Sequence, residues 1–534
     1  MLSEDRYFQI LNEDEVWLRY CGFLDLHVDE FMEIQKELLM DEIERIADSV
    51  LGQKIMGNDK PEGLEEFRSM VPLTTYDDYE PYLSERQEDA LAIKPAVWCH
   101  SAGRGGRFKW IPLSSEFLDK ITKNALASYI LATTNEKGKV NFWPGAKMLA
   151  ILAPPPYGSG LTVQTVAQHF SLQSLPDPNK TRHLPFPDRI QKGFQMALRE
   201  GVDIIGSLPS ILVRMGEEFG EQKRGGRFSL STLHPKVMRV LLQAWLRSKK
   251  QRRRILPKDL WPTKAIFTGG MDAHIYKADI IHYWGREPYE IYISSEAFHI
   301  AMHGWNKRWM TFVPDMVFLE FIPYKELLKH EEDKDYQPST VLLNEVKEGQ
   351  LYEVVITQFY GMPLLRYRLR DLIRIVALKD DEAGVNLPQM TFQRRVDEVI
   401  NIGGLAQLDE KTVWQAMSNA GIRYKEWTAC KEDDQNKTFL CLYIEPIEQT
   451  DATELEMGID EQLKIIDTDY KDIHYYLGYQ PVRVKLLSPG TFQRYTEEKV
   501  KEGADQTHLK PAHINPPETV IKRILQLSKE GGDK

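Results

Sequence analysis

Five short stretches hold side chains whose types and spacing could do chemistry. Ser101–Lys109 reads SAGRGGRFK, three glycines and three cations in nine residues. Glycines let backbone N–H groups face an anion without a Cβ in the way, and Arg104, Arg107 and Lys109 add positive charge. Phosphate is a sensible guest for such a loop, with Ser101, Gly103 and Gly106 lining it. The GxxxxGK[ST] pattern is absent, and a basic surface turn fits the same nine residues.

In LLRYRLRDL a period of two puts Leu365, Tyr367 and Leu369 on one side of a strand and Arg366, Arg368 and Arg370 on the other. Asp371 then falls on the apolar side, where an unpartnered carboxylate costs several kcal/mol, roughly. It is either the end of the strand, its side chain capping the next segment, or a fixed acceptor for a ligand's hydroxyls such as a ribose diol. YISSEAF sets Ser294, Ser295 and Glu296 at a strand end, where α/β folds build sites. Glu296 could hold Mg²⁺ beside phosphates, although Ser-Ser-Glu equally resembles a capped helix start, and composition favours the cap. FQRRVDEVINIGG, with Arg395, closes on two glycines as expected of a pivot between domains. GADQTHLKPAH carries Lys510 in a Gly- and Pro-bounded loop that is either solvated or able to swing over a site.

These residues need a scaffold, and the chain has material for two domains: 534 residues, 42% hydrophobic. A core helix is expected over residues 26–51, with Gly52 as its stop. KMLAILAPPP reads as a strand ended by prolines, and VDIIGSLPSILVRMGEEF as strand, turn and helix. This alternation over 140–300 argues for an α/β core, followed by crowded strands over 285–378. Beyond Arg395 the texture becomes a compact α+β pattern. The expected organisation is a large multi-sheet α/β domain, 1–394, and a smaller α+β domain, 395–534.

Net charge is −11, from 68 basic and 79 acidic residues, so the chain as a whole repels polyanions and is not expected to bind nucleic acid. RSKKQRRR at Arg247–Arg254 reads most simply as the solvated end of a helix. Four scattered cysteines without a CxxC pair, an acidic N-terminus unlike a signal peptide and the lack of a long apolar run point to a cytoplasmic protein without a membrane partner.

Taken in order, the stretches resemble the adenylate-forming (ANL) superfamily. With VPLTTYDDYEPYL (71–83), FLEFIP (318–323), EGQLYEVVITQFYGMPLLRYRLRDLIRI (348–375) and DTDYKDIHYYLGYQPVRVKLLSPGTF (467–492), the chain is similar to the auxin-responsive acyl-acid amido synthetase family and its bacterial relatives. The resemblance implies activation of a carboxylic acid by ATP and Mg²⁺ to an acyl-adenylate, then transfer to an amine, commonly an amino acid; the chain is expected to act as a monomer or homodimer. It places Ser101–Lys109 at the phosphate loop, Tyr292 beside the adenine with Ser294 and Ser295, and Glu296 at the metal. Asp371 takes the ribose, Arg395 the hinge near ribose and phosphate, and Lys510 the mobile lysine. Tyr157, Ser207 and Ser210 are candidates for the acyl pocket.

The sequence departs from that pattern at Ala102, Arg104 and Gly105, where relatives carry hydroxyls, at Arg370, where they often have glycine, and at Arg394. Two outcomes stay open for the loop: arginine forks replace the lost donors, or Arg104 fills the phosphate space. Coenzyme A as acceptor and a catalytically degenerate binding paralogue are the competing readings.

Overall fold

The computed structural model describes residues 2–57, 59–101, 109–184, 186–221, 234–269, 273–333, 335–396, 399–402, 406–434, 437–471, 479–502 and 512–532. The chain divides into two compact units, one of residues 1–101 and 109–393, the other including 394–534.

The first unit opens with helices. Val28–Ile46 buries Phe31, Leu39, Ile43 and Ile46 at helical spacing, each side chain contributing roughly 1.5–3 kcal/mol on burial. The same face carries the buried Gln35, which donates to the carbonyls of Pro314 and Val317 and accepts from the Leu319 amide. This helix ends at Ile46, not at Gly52. Ser49 caps a second helix, Val50–Met56, and Gly52 lies inside it. A Cβ on Gly52 would stand 2.0 Å from the Ile46 carbonyl oxygen, so the glycine permits the close turn between two helices instead of stopping one.

The strands of this unit are β1 (Val97–Ser101), β2 (Lys109–Leu113), β3 (Lys147–Ile151), β4 (Gln173–Leu175), β5 (Ile204–Ser207), β6 (Ala265–Gly269), β7 (Pro288–Ser294), β8 (Phe298–His303), β9 (Met310–Phe312), β10 (Val317–Pro323), β11 (Leu351–Gln358), β12 (Tyr367–Ala377) and β13 (Gln389–Arg395), the last running two residues into the second unit. Among the described residues β1 and β2 form a hairpin, and the rest form one sheet in the order β10-β11-β12-β13-β9-β8-β7-β6-β5-β3-β4. Strands β4, β3, β5, β6 and β7 are parallel. The apolar runs of β3, β5 and β6 are largely buried, as in a parallel sheet covered on both faces, and so do not alternate. From β7 onward the pairing to β8 and β9 is antiparallel, as it is in β10-β11-β12.

The second unit holds β14 (Val399–Ile402) paired with β15 (Ala406–Asp409), and a sheet of β16 (Tyr424–Asp434), β17 (Lys437–Pro446) and β18 (Val482–Leu486). Along β17, Leu440, Leu442 and Ile444 join a core with Val413 and Ile459 of the helices Glu410–Asn419 and Ala452–Ile466. Phe439, Cys441 and Tyr443 join another with Phe492 and Ile524 of Thr491–Lys501 and Glu518–Gly532. A strand covered on both faces accounts for the continuous FLCLYI run. His513 is wedged between Glu410 and Glu426, 2.5 and 2.8 Å from their carboxylates, and stacks on Trp427 at 4.6 Å. The backbone bonds Ala429 N to His513 O and Asn515 N to Ala429 O hold the same segment against β16. Among the described residues no helix is long and apolar enough to cross a membrane.

Candidate active site

The strand that carries Asp371 is braced before it is placed. Thr74, in the 71–83 stretch, pairs with the start of β12: its amide donates to the Arg366 carbonyl and its carbonyl accepts from the Arg368 amide, both at 2.9 Å. The Tyr79 hydroxyl donates to the Leu365 carbonyl and accepts from the Leu365 amide. Arg366 and Arg368 do not face solvent. Arg366 forks onto Glu320 of β10 at 3.0 and 2.9 Å and donates to the carbonyls of Arg68 and Val71. Arg368 forks onto Glu353 of β11 at 2.9 and 2.7 Å. All four charged side chains are buried, and bidentate geometry with further hydrogen bonds is what makes such burial tolerable.

Simple alternation fails at the next step. Opposite β11, the register runs from Glu353–Leu372 to Val355–Arg368, so Leu369, Arg370 and Asp371 stand against Val354 alone. This bulge is made by Arg370 at φ 61°, with Arg366 at φ 42° before it. The backbone at Arg370 is left-handed, a region that costs a side chain roughly 1–2 kcal/mol and that glycine adopts freely. The strand does not end at Asp371 but continues to Ala377. Asp371 is buried, and its Oδ2 accepts a 2.9 Å hydrogen bond from the hydroxyl of Tyr292 on β7. The Tyr292 ring lies 5.6 Å from that of Phe392.

Ser294, Ser295 and Glu296 do not start a helix, contrary to the expectation from composition. Residues 295–297 are the tight turn between β7 and β8, with Ser294 Oγ accepting from the Ala297 amide. Gln358 Nε2 at the end of β11 donates to the Glu296 carbonyl at 2.6 Å and fixes the turn. The Glu296 carboxylate acts electrostatically on two neighbours. Burial, with the charges of Glu80 and Glu296, pushes the Tyr76 phenol up to about 12 against an opposing hydrogen bond to Trp110, and burial with Glu296 raises the Cys99 thiol. Lys109, the first residue of β2, donates to the Tyr367 hydroxyl at 3.2 Å and sits 5.5 Å from the Tyr76 ring centre. Lys109, Tyr76, Tyr367, Glu296, Tyr292 and Asp371 thus belong to one neighbourhood of the first unit.

Ser101 pairs with Lys109 at the end of the β1-β2 hairpin next to residues 102–108. The loop residues Gly103, Arg104, Gly106 and Arg107, the Ser101 and Ser210 side chains, and Lys510 lie outside the described residues. Tyr157 is buried, its ring 4.3 Å from that of His100. It precedes the helix Gly158–His169, whose Gly158 faces Phe298 and Cys99 beside the Glu296 turn. Ser207 ends β5, two strands away from β7, with Thr268 of β6 directly beside it. Arg395 ends β13 and belongs to the second unit.

The described residues contain no cluster of three or more His, Cys, Asp or Glu side chains that could hold a metal on their own. Mg²⁺ needs no such cluster, because it binds through one or two carboxylates with phosphate and water oxygens. A lone glutamate on a fixed turn fits that donor set. Sequence reasoning missed the braces, Thr74, Tyr79, Glu320 and Glu353. Their signal was a glutamate inside each of two otherwise apolar strands, FLEFIP and LYEVVIT, where a buried acid demands a cation.

Residues 22–190 match the model of the GH3 family N-terminal domain and residues 310–395 that of the GH3 family central domain. The chain is similar to the 4-substituted benzoates-glutamate ligase GH3.12 of Arabidopsis thaliana, at 22% identity covering 89% of this chain and 94% of that one. It is similar to the indole-3-acetic acid-amido synthetase GH3.5 of the same plant, at 25% identity covering 88% and 87%. In fold it resembles the AtGH3.15 acyl acid amido synthetase in complex with 2,4-DB, with a TM-score of 0.65 at 18% identity over 96% of both chains. It also resembles 2-hydroxyisobutyryl-CoA ligase in the postadenylation state, with a TM-score of 0.57 at 14% identity over 95% and 94%. With matching domain models on both sides of the Glu296 turn and full-length relatives, the chain belongs to the GH3 family of acyl-acid amido synthetases.

Proposed function

We propose that this protein is an ATP-dependent acyl-acid amido synthetase that adenylates a carboxylic acid, releases pyrophosphate and passes the acyl group to an amine, that of an amino acid. The observation that carries this reading is the meeting of Tyr292 and Asp371, from two separate motifs, next to the turn that presents Glu296. The acid's carboxylate must approach an α-phosphate of like charge. Catalysis therefore comes from positioning and from cations on the non-bridging oxygens.

In this reading Asp371, with one oxygen fixed by Tyr292, accepts from the ribose hydroxyls, and the Tyr292 and Phe392 rings flank the base together with Ser294 and Ser295. Lys109 and the loop residues Ser101, Gly103, Arg104, Gly106 and Arg107 take the triphosphate. Glu296 would hold Mg²⁺, which supplies charge neutralisation at the phosphates. Arg395 and Lys510, carried by the second unit, are the proposed source of charge during adenylation. Tyr157, Ser207 and Ser210 are the proposed acyl-pocket residues. The amine then attacks the acyl carbonyl carbon and AMP leaves. Four unpaired cysteines and the use of ATP support a cytoplasmic setting.

The test is exchange of labelled pyrophosphate into ATP across a panel of aryl and aliphatic acids, followed by product analysis with amino acids or coenzyme A as acceptor. Acid-dependent exchange with amide formation is expected. Thioester without amide would move the acceptor to coenzyme A, and no exchange with any acid would remove the ligase reading.

A further inference from the structure

The basic run near residue 250 has no part in the site described above, and the helix it ends is unusual. Pro235–Lys250 turns Val237, Ala244 and Ser248 inward, with Val240 and Leu241 packed beside them. At 3.6 residues per turn, Met238, Leu242, Trp245 and Leu246 form a second apolar stripe next to that buried face. They are 53, 57, 47 and 54% exposed. A helix docked only on a core shows a single apolar face with polar residues opposite, and among the described residues nothing accounts for this width.

Cations surround the stripe. Lys236, Arg239, Lys250 and Arg252 are exposed, and the Lys249 ammonium sits 4.8 Å over the Trp245 ring. From Pro235 to Arg254 there are eight lysines and arginines and no carboxylate, in a chain whose net charge is −11. Arg253 forks onto Asp259 at 2.6 and 2.8 Å, and Arg247 donates to the Asp259 carbonyl. Lys236, Arg239, Lys249, Lys250 and Arg252 form a local positive face that the chain-wide balance averages away.

We propose that this face is a peripheral docking surface for a membrane leaflet rich in anionic headgroups, with Met238, Leu242, Trp245 and Leu246 entering the headgroup–acyl boundary and the cations meeting lipid phosphates. Tryptophan and long aliphatics flanked by lysine and arginine are what an interfacial helix requires. Nucleic acid would satisfy the cations but leave four large apolar side chains in water. A second copy meeting the same face across a two-fold axis would bring the cation clusters together. The surface lies outside the proposed active site, so the inference stands apart from the ligase reading.

The test is flotation of the full chain with vesicles of phosphatidylcholine alone and of phosphatidylcholine mixed with phosphatidylglycerol, at low and high salt. Binding to the mixed vesicles, weakened by salt, is expected. Reversing two charges, Lys249→Glu with Lys250→Glu, should lower partitioning about tenfold or more. Leu242→Glu with Leu246→Glu should abolish it, while circular dichroism and pyrophosphate exchange stay unchanged. The proposal is overturned if the wild-type chain ignores mixed vesicles or binds neutral ones equally well, or if both double variants bind like wild type. It also falls if Leu242→Glu with Leu246→Glu merely splits a dimer that never floats, or if that pair leaves intact a tight binding to duplex DNA or RNA while vesicles are ignored.

Discussion

The hydroxyl of Tyr292 donates to Oδ2 of Asp371 at 2.9 Å, joining two side chains 79 residues apart in the chain. Both are buried, so the bond fixes the orientation of the carboxylate. Asp371→Asn removes the charge and should raise the KM for ATP by tenfold or more in pyrophosphate exchange, roughly the worth of a charge-assisted hydrogen bond. Tyr292→Phe should raise it by about three- to tenfold. In the double variant the effects should fall short of their product, because the bond is shared. Strictly multiplicative effects would mean that the two residues act independently.

The buried pair Arg366–Glu320 predicts an asymmetry between single and double variants. Glu320→Gln leaves the guanidinium without its counter-charge and should cost about 3–5 kcal/mol, read as the unfolding midpoint of the first unit. Glu320→Met together with Arg366→Met should be markedly less destabilising than either single change. Additive losses would show that the pair is not coupled.

Arg370 occupies a left-handed backbone at φ 61°. Arg370→Gly should therefore be tolerated within about 1 kcal/mol, whereas Arg370→Val, which is β-branched, should cost more than about 2 kcal/mol and reduce exchange by displacing Asp371. Thermal midpoints and exchange rates for the two variants check this. Equal destabilisation would place the bulge elsewhere.

For His513, burial lowers the imidazole, but hydrogen bonds to Glu410 and Glu426 outweigh it and hold it up at about 9. Its folded value thus lies above its unfolded value near 6.5. The associated stability is fully present below about pH 6.5 and is lost as pH rises through about 9, on the order of 3 kcal/mol in all. Melting curves of the full chain from pH 6 to 10 should show the second unit's transition falling, and His513→Gln should flatten that dependence. A wild-type transition independent of pH over this range would contradict the assignment.

Much of this fold was legible because its signals are local. The strand ended by Pro154–Pro156 and the helix that Pro209 opens depend on residues next to one another, as does the change of texture after Arg395. What escaped were outcomes of packing at long range. Gly52 reads as a helix stop until the turn at Ile46 is known to press against it. Ser294–Glu296 reads as a cap because the antiparallel partner β8 begins only at Phe298. Alternation put Asp371 on the apolar side but hid the bulge, since left-handed arginines carry no local mark. The partners of Arg366 and Arg368 were not legible because their carboxylates stand far off in sequence, on β10 and β11.

The central claim is that Asp371 and Glu296 form part of a working adenylation site. Acid-dependent pyrophosphate exchange, measured side by side for the wild type, Asp371→Ala and Glu296→Ala with circular dichroism on the same samples, tests it most directly. Exchange in the wild type and its loss by about a hundredfold or more in both folded variants is the predicted result. Full exchange in either folded variant would contradict the account.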